Sequence, residues 1–238
     1  MSGNPTSDNR KADNLDVQVS DKRNSDGMEM LPRYSLSKRE LRGLSISLSR
    51  ILRHDAVKLK LRISSDGRVL VDELLHHLNR SNNTVSYSLG HIAQVVRDND
   101  KKRFELTDFN GALMIRAVQG HTISRVSDEE LLHPITHSSD VPVCIHGTYK
   151  AALPSIISLG LSRMKRNHIH FSAGEPNDGR VISGMRRSSE VLIYIDVSKA
   201  MSAGITFFRS LNNVILTRGL CDSGTVPAEF FLKIVYVA

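Results

Sequence analysis

The sequence has few of the residues that carry redox or stacking chemistry. It contains no tryptophan and two cysteines, and aromatic residues make up only 5% of its 238 positions. Cys144 and Cys221 each stand alone, so we expect free thiols rather than a disulfide framework or a paired-cysteine zinc motif. The shortage of aromatic side chains also argues against a stacking platform for single-stranded nucleic acid.

Long apolar runs are missing as well. The longest strand-like run, residues 191–197, is interrupted by Asp196 and falls far short of the roughly 20 residues that a membrane helix needs. The first residues are polar and lack the apolar core of a secretory signal. These absences predict an intracellular protein, cytoplasmic or nuclear, with no membrane partner.

What the sequence has in excess is positive charge. The formal net charge is +7 and the isoelectric point is about 9.6. A basic surface favours polyanionic partners, because each phosphate that it neutralises releases counterions. With 40% hydrophobic residues, the chain can also bury one large core or two small ones.

The first half of the chain predicts a polar tail followed by helices and a hairpin. Residues 1–33 are rich in Asn, Asp, Ser and Lys and are predicted to be disordered. Apolar residues at helical spacing in LRGLSISLSRILRH, VDELLHHL and SLGHIAQVV predict three short helices. KRFELTD and GALMIRA then alternate as a β-hairpin with Asn110 and Gly111 at its turn. This order makes residues 34–133 similar to a winged-helix lobe.

The amino-acid composition of the chain changes after the hairpin. Residues 127–142 are rich in Pro, Ser, Asp and His and predict a linker. The region 134–238 then contains the strand candidates VCIHGT, HIHFS, VLIYIDV, ITFFRS, NNVILTRG and FFLKIVYV. It also contains one helix, LPSIISLG, with Pro154 near its start and Gly160 at its end. We therefore predict an α+β fold, in which a winged-helix-like lobe precedes a β-rich lobe.

Arginines stand at three unusual places. Arg53 and His54 close the first helix, Arg116 lies on the second hairpin strand, and Arg209 lies between two later strands. Each arginine alone is compatible with a surface cation whose stem covers apolar neighbours. A shared role in binding phosphate is the alternative, because the planar fork of arginine binds two oxygens at once and its charge does not titrate.

Four segments of the chain resemble the Tpt1/KptA family of tRNA 2′-phosphotransferases. They are LSRILRHDA, LMIRAVQGHT, CIHGTYKAALPSIISLGLSRMKRNHIHFS and ITFFRSLNNVILTRG, and the resemblance extends over about residues 44–231. It implies an N-terminal winged-helix lobe that binds RNA and a C-terminal ADP-ribosyltransferase-like lobe that binds NAD. The active site is expected between the two lobes.

The resemblance implies an Arg-His-Arg-Arg catalytic quartet. By motif, its members fall on Arg53, His54, Arg116 and Arg209. All four residue types are present, so an active enzyme is expected. Two roles stay open for His54: it carries the proton for the leaving hydroxyl, or it holds phosphate beside arginines that depress its pKa.

The implied reaction transfers an internal 2′-phosphate of RNA to NAD in two steps. The phosphate first attacks the nicotinamide ribose, which gives an ADP-ribosylated RNA 2′-phosphate. A ribose hydroxyl then attacks the phosphorus. The products are 2′-hydroxyl RNA, nicotinamide and ADP-ribose 1″,2″-cyclic phosphate. NAD is the co-substrate, and the expected partner is RNA with a 2′-phosphate, in particular tRNA, bound by a monomer.

The resemblance also implies a nucleotide site in the C-terminal lobe. His146, Gly147 and Thr148 are similar to the strand-end signature that holds the nicotinamide ribose, where glycine permits close backbone approach. The other residues expected to bind NAD are Gly160, Leu161, Arg166, His168, His170, Ser172 and Ser210.

Paired histidines raise the alternative of a metal site. Three pairs resemble ligand pairs: His168 with His170, His76 with His77, and His133 with His137. Zinc requires three or four converging ligands, and neither a cysteine pair nor a carboxylate cluster completes any set. No metal is therefore expected.

Two rival functions remain open. One is an ADP-ribosyltransferase that modifies proteins or another nucleic-acid phosphate. Against a protein acceptor, Arg209 and Ser210 stand where protein-modifying relatives have a catalytic glutamate. The other rival is a winged-helix RNA binder without catalysis, which leaves the segment 146–172 unexplained.

Overall fold

The structure is a computed structural model that describes residues 35–81, 85–176, 185–186 and 188–237. The predicted tail, residues 1–33, lies outside the described residues. Among the described residues, no helix has the length and apolar character needed to cross a membrane.

Helices open the described chain: α1 (Lys38–Arg50), a π-helical turn (Ile51–Asp55), α2 (Val71–Arg80) and α3 (Leu89–Arg97). α1 begins where Ser37 and Glu40 form a capping box, in which each side chain bonds the backbone N–H of the other residue. Leu44 and Leu48 recur at helical spacing and are fully buried. The three predicted helices are confirmed.

A three-stranded antiparallel sheet packs with these helices. Its strands are β1 (Val69–Leu70), β2 (Phe104–Phe109) and β3 (Ala112–Ala117), in the order β1-β3-β2. Asn110 and Gly111 join β2 to β3 with φ angles of 53° and 79°. Positive φ at both central positions is what a two-residue hairpin turn requires. The predicted hairpin is confirmed.

The linker predicted for residues 127–142 is wrong over its first half. That half forms α4 (Asp128–Leu131) and β4 (His133–Ile135). Asp128 and Leu131 are both buried. One of the polar residues whose composition predicted a linker, Asp128, is therefore buried in the fold.

The rest of the chain builds a larger sheet. Its elements are β5 (Ile145–Thr148), α5 (Leu153–Leu159), β6 (Leu161–Ser162), β7 (Ile169–Ser172), β8 (Val191–Ile195), α6 (Val197–Ser202), β9 (Phe207–Arg209), β10 (Val214–Thr217), β11 (Thr225–Val226) and β12 (Phe231–Tyr236), with short 3-10 turns at Ser138–Asp140, Lys150–Ala152, Leu220–Asp222 and Ala228–Phe230. Seven strands form an antiparallel sheet in the order β12-β8-β5-β7-β10-β9-β4, and β6 pairs with β11. All six predicted strands are confirmed, as is α5 with Pro154 in its first turn and Gly160 at its end.

Two hydrophobic cores meet at β10. Val214 and Leu216 pack with the helices and the three-stranded sheet, whereas Ile215 packs with the core of the larger sheet. This division follows from the strand period of two, which points successive side chains to opposite faces. The predicted α+β class is confirmed.

Asp128 ties α4 to the larger sheet. Its carboxylate is 2% exposed and is bonded to His168 Nε2 at 2.8 Å and Arg218 Nε at 2.6 Å. Burial alone would raise the pKa of this carboxyl group, but the bonds from His168 and Arg218 outweigh burial, and its pKa lies below the ordinary value. His168 directly precedes β7 and Arg218 directly follows β10, so one buried anion fixes three segments.

The segment 119–123 also bridges the two halves of the molecule. The Thr122 N–H donates to the Arg53 carbonyl, and the Asn167 N–H donates to the His121 carbonyl, each at 2.9 Å. The imidazole of His121 is 2% exposed, and neither ring nitrogen has a partner among the described residues. Burial, followed by the charge of Arg53, lowers the pKa of His121 to about 3.

Asp128→Asn should lower the free energy of unfolding by about 3 kcal/mol, because it removes the charge that a buried ion-paired network requires. Urea denaturation of the variant and the wild type measures this loss. Glu129→Gln is the control, since Glu129 is an exposed neighbour on the same helix. Equal stabilities for the two variants would contradict the role given to Asp128.

Protonation of His121 should destabilise the folded protein. The unfolded imidazole titrates near pH 6.5 and the folded one near 3, so the unfolded state binds more protons between these values. Stability should therefore fall as the pH drops below about 6.5, with His121 contributing about 1.4 kcal/mol per pH unit.

Urea denaturation near pH 5 and near pH 7 tests this linkage. His121→Gln should reduce the difference in unfolding free energy between the two pH values, whereas His137→Gln, at an exposed position, should not. An unchanged pH dependence in His121→Gln would exclude this assignment.

Candidate active site

Arg53 lies in the π-helical turn that ends α1. Its Nε and Nη2 atoms are buried and have no hydrogen-bond partner among the described residues. The guanidinium packs against Gly120, where an added Cβ would lie 3.5 Å from the Arg53 Cζ. Burial, followed by the charges of Arg103 and Arg166, lowers the pKa of Arg53 to about 10. The charges of Arg103 and Arg166 therefore both act on the Arg53 guanidinium.

Arg103 reaches this cluster from the residue directly before β2. Its Nη1 and its backbone N–H both donate to Asn99 Oδ1, at 3.3 and 3.2 Å. Asn99 is 8% exposed and donates to Ser45 Oγ of α1 at 3.3 Å. Burial lowers the pKa of Arg103. Its guanidinium is thus held between α1 and the start of the hairpin.

Arg166 comes from the other half of the molecule, in the loop between β6 and β7. Arg163 Nη1 donates to the Arg166 carbonyl at 2.9 Å. The next residue, Asn167, donates its side-chain amide to the Ile123 carbonyl at 3.1 Å. Burial, followed by the charge of Arg186, lowers the pKa of Arg166. The cluster therefore draws its cations from both halves of the fold.

His54 lies on the solvent side of the cluster. Its Nδ1 is bonded to Thr122 Oγ1 at 3.0 Å, and its side chain is exposed. Partial burial, followed by the charges of Arg53 and Arg166, lowers the pKa of His54, and Asp55 opposes this shift. The imidazole is therefore mostly neutral at neutral pH and can accept a proton from a group that enters from solvent.

His170 borders the cluster from β7. Its Nε2 is buried without a partner among the described residues. Burial and then the charge of Arg166 hold its pKa well below the ordinary value. The His170 carbonyl is bonded to His146 Nδ1 at 3.0 Å, so His146 of β5 lies beside it.

The cluster has few counter-charges among the described residues: Asp100 opposes the lowering of the Arg103 pKa but forms no ion pair with it. No ion pair among the described residues includes Arg53, Arg103 or Arg166. Asp55 is engaged with Arg50 Nε at 2.7 Å, and Asp128 is engaged with His168 and Arg218. Buried cationic N–H groups without acceptors are unfavourable unless an anion binds them. The unpartnered N–H groups of Arg53, with the charges of Arg103 and Arg166 near them, are therefore suited to bind a phosphate-sized anion, and we call this place the anion pocket.

Two of the four predicted quartet members are engaged elsewhere. Arg116 lies on β3 and is 7% exposed. Its Nε donates to Glu105 Oε2 at 2.6 Å, and its Nη1 lies 3.4 Å from Asp66 Oδ2. With both carboxylates as partners, its guanidinium is already neutralised.

Arg209 is held at the opposite end of the larger sheet from β12. It pairs with His133 of β4, its Nη2 donates to the Asp140 carbonyl at 2.6 Å, and its Nη1 donates to Asn213 Oδ1. No contact among the described residues joins Arg209 to Arg53, and the predicted quartet is not brought together.

The predicted ribose-binding residues His146, Gly147 and Thr148 make up most of β5. An added Cβ on Gly147 would lie within 2.5 Å of the side chains of Met185 and Ser189, which would have to shift. The Thr148 carbonyl accepts the Glu190 N–H at 2.9 Å. β5 lies next to β7, which brings His146 and Gly147 close to His170.

Other predicted nucleotide-binding residues are engaged within the fold. Gly160 has φ 85°, and an added Cβ would lie 2.6 Å from the Val226 carbonyl oxygen. Leu161 is 2% exposed and pairs with the same residue. His168, at 4% exposure, is bonded to Asp128.

The two predicted serines are also engaged. Ser172 Oγ donates to the Gly174 carbonyl at 2.9 Å, and Ser210 Oγ to Asn212 Oδ1 at 2.8 Å. Of the predicted nucleotide site, Arg166, His146 and His170 therefore approach the cation cluster most directly.

Sequence reasoning missed Arg103 and His121. Arg103 lies in RDNDKKRF, whose mixed charges are typical of a solvated turn. The burial of Asn99, four residues earlier, marks Arg103 as part of the site, but that burial can be seen only in the folded structure. Among the described residues, no group of three or more His, Cys, Asp or Glu side chains could hold a metal ion.

Comparison with known proteins identifies the family of this chain. A model of the family "RNA 2′-phosphotransferase, Tpt1 / KptA family" matches residues 38–219. The chain is 49% identical over 190 residues to tRNA 2′-phosphotransferase 1 of Danio rerio, covering 79% of this chain and 82% of the relative. It is 42% identical over 197 residues to tRNA 2′-phosphotransferase of Saccharomyces cerevisiae, covering 81% and 82%.

The human relative, also named tRNA 2′-phosphotransferase 1, is 41% identical over 189 residues, covering 79% of this chain and 73% of the relative. The family match includes α1 at one end and β10 at the other, and so contains every residue of the cation cluster. The chain therefore belongs to the RNA 2′-phosphotransferase, Tpt1/KptA family, as its motifs predicted.

Proposed function

We propose that the protein removes an internal 2′-phosphate from RNA by transferring it to NAD, through an ADP-ribosylated RNA 2′-phosphate. The products are 2′-hydroxyl RNA, nicotinamide and ADP-ribose 1″,2″-cyclic phosphate. Family membership and the names of the relatives, tRNA 2′-phosphotransferases, support the phosphotransfer and tRNA as the substrate. The observation that carries the proposal is the buried guanidinium of Arg53, which has two unpartnered nitrogens and two further arginines beside it.

Arg53, Arg103 and Arg166 are proposed to hold the 2′-phosphate. A phosphomonoester has a second pKa near 6 and is largely dianionic at neutral pH, so its attack requires orientation and charge screening more than a base. Arginine suits both needs, because its forked donors bind two oxygens and its charge persists when it is buried. As charge develops on the phosphoryl oxygens, the fixed guanidinium groups stabilise the transition state.

His54 is proposed to supply the proton for the departing RNA 2′-oxygen. In the free protein its pKa is lowered by partial burial, Arg53 and Arg166, so the imidazole is mostly neutral. A phosphate dianion beside it would raise that pKa, because an opposite charge favours the protonated form. His54 would therefore take up a proton as RNA binds and release it to the leaving oxygen. The bond from Thr122 keeps its ring oriented.

The C-terminal lobe is proposed to bind NAD, which supplies the ribose that accepts the phosphate. His146 and the unpartnered Nε2 of His170 fit a polar ligand next to Arg166. Gly147 has no side chain of its own, and the side chains of Met185 and Ser189 fill the space where its Cβ would lie, so these two side chains would shift as the ribose approaches. In this assignment residues 34–133 form the winged-helix RNA lobe and residues 134–238 the ADP-ribosyltransferase-like lobe.

The test of function is incubation of the purified protein with an RNA that carries one internal 2′-phosphate, with and without NAD. Loss of the 2′-phosphate with formation of nicotinamide and the cyclic product is expected only when NAD is present. Accumulation of ADP-ribosylated RNA would instead favour an ADP-ribosyltransferase. Binding without turnover would favour an RNA-binding protein and overturn the proposal.

Arg103→Ala and Arg166→Ala should each lower kcat at least about a hundredfold, because each removes a preorganised donor worth about 3 kcal/mol at a developing charge. Arg209→Ala is the matched control and should keep kcat within about threefold, since its guanidinium is bonded to Asp140 and Asn213. Circular dichroism verifies that each variant is folded. A large loss in Arg209→Ala with near-normal Arg103→Ala would restore the quartet predicted from sequence.

A further inference from the structure

One face of α1 carries a row of cations toward the anion pocket. Arg39, Arg42, Ile46 and Arg50 are exposed at intervals of three or four residues, and Leu44 and Leu48 are buried on the opposite side. Residues at this spacing share one face of a helix. We name Arg39, Arg42 and Arg50 the basic face of α1. One turn beyond Arg50, the chain reaches His54.

At the outer end of this face, near Arg39, the positive charge has no acidic partner among the described residues. Glu40 is the one acidic residue in α1, and its carboxylate is bonded to Ser37 in the capping box. No ion pair among the described residues includes Lys38, Arg39 or Arg42. Only Arg50 has a counter-charge, Asp55, at 2.7 Å. Within the part of the chain that the structure describes, the outer end of the basic face therefore has no acidic partner.

The basic face is long enough to follow a polymer. Arg39 precedes His54 by 15 residues, which corresponds to about 22 Å at 1.5 Å per residue. One nucleic-acid strand advances about 3.4 Å per nucleotide, so this distance spans about six nucleotides. A small substrate in the pocket could not reach Arg39 or Arg42, whereas a flanking strand could.

We propose that the basic face of α1 binds backbone phosphates of the RNA strand that flanks the 2′-phosphate. The inference rests on the proposed function, because it takes the pocket as the place where the 2′-phosphate binds. Charge complementarity and continuity with the pocket both favour RNA as the occupant. A membrane surface fits less well, since the exposed face offers a single large apolar side chain, Ile46, for insertion.

The experiment compares Arg39→Gln/Arg42→Gln with Lys199→Gln/Lys233→Gln. The second pair removes the same charge from α6 and from the edge strand β12, away from the cluster. Each protein is assayed on a dinucleotide with an internal 2′-phosphate and on the same dinucleotide extended by six nucleotides at its 5′ or its 3′ side. KM, kcat and the salt dependence of KM are measured.

Extension on one side should lower the wild-type KM. Arg39→Gln/Arg42→Gln should raise KM for that extended RNA about tenfold, with kcat and the dinucleotide KM unchanged. Its slope of log KM against log salt should fall by about 1.4, since each lost contact with a single strand removes about 0.7. The control pair should keep the wild-type values.

Three results would overturn the inference: no benefit from extension, a benefit that survives in Arg39→Gln/Arg42→Gln, or an equal loss in the control pair. Failure of the proposed function has a different signature, because the wild-type protein would then leave the dinucleotide unprocessed. Addition of anionic phosphatidylserine vesicles gives a further arm. If the vesicles bind the wild type but not the variant, while extension of the RNA brings no benefit, the basic face binds lipid and the assignment to RNA is wrong.

Discussion

The whole arrangement depends on burying the guanidinium of Arg53 without a counter-ion. Two of its nitrogens lack any acceptor among the described residues, and burial, followed by the charges of Arg103 and Arg166, lowers its pKa to about 10. Such a group is unfavourable in isolation, because burial removes water from a charge that nothing else stabilises. The surrounding fold must therefore hold Arg53 in place, and a bound anion would offset the free-energy cost of burying its charge.

Several features of the fold meet this requirement. Gly120 lets the backbone approach the Arg53 side chain, and the Thr122 N–H fixes the Arg53 carbonyl. The same segment continues to His121, whose carbonyl binds Asn167 next to Arg166. Because His121 is neutral at neutral pH, it fills the space behind the pocket without adding to the repulsion. The segment from Gly120 to Thr122 therefore both connects the two halves of the molecule and borders the anion pocket.

The sequence predicted the elements well and the site less well, and the difference has a physical cause. Hairpins and strands can be predicted from the local spacing of apolar and turn-forming residues, and the turn predicted at Asn110 and Gly111 is therefore correct. The partner of Arg116 was also within reach: a two-residue turn at these positions sets Glu105 opposite Arg116, as the register confirms. Arg103 could not be found in this way, because the contacts that bury it, through Asn99 to Ser45, join residues 54 positions apart.

Buried charge has two different uses in this protein. Asp128 is buried with His168 and Arg218 as partners, so its network is complete and serves the fold. Two guanidinium nitrogens of Arg53 are buried without acceptors, and the half-buried Arg103 and the exposed Arg166 add positive charge near them. This group of arginines is therefore complete only when a ligand supplies negative charge. Anion binding is linked to folding, because a ligand that binds only the folded state stabilises it. The deficit of acceptors, rather than the number of arginines, is what distinguishes a binding site from a structural ion pair.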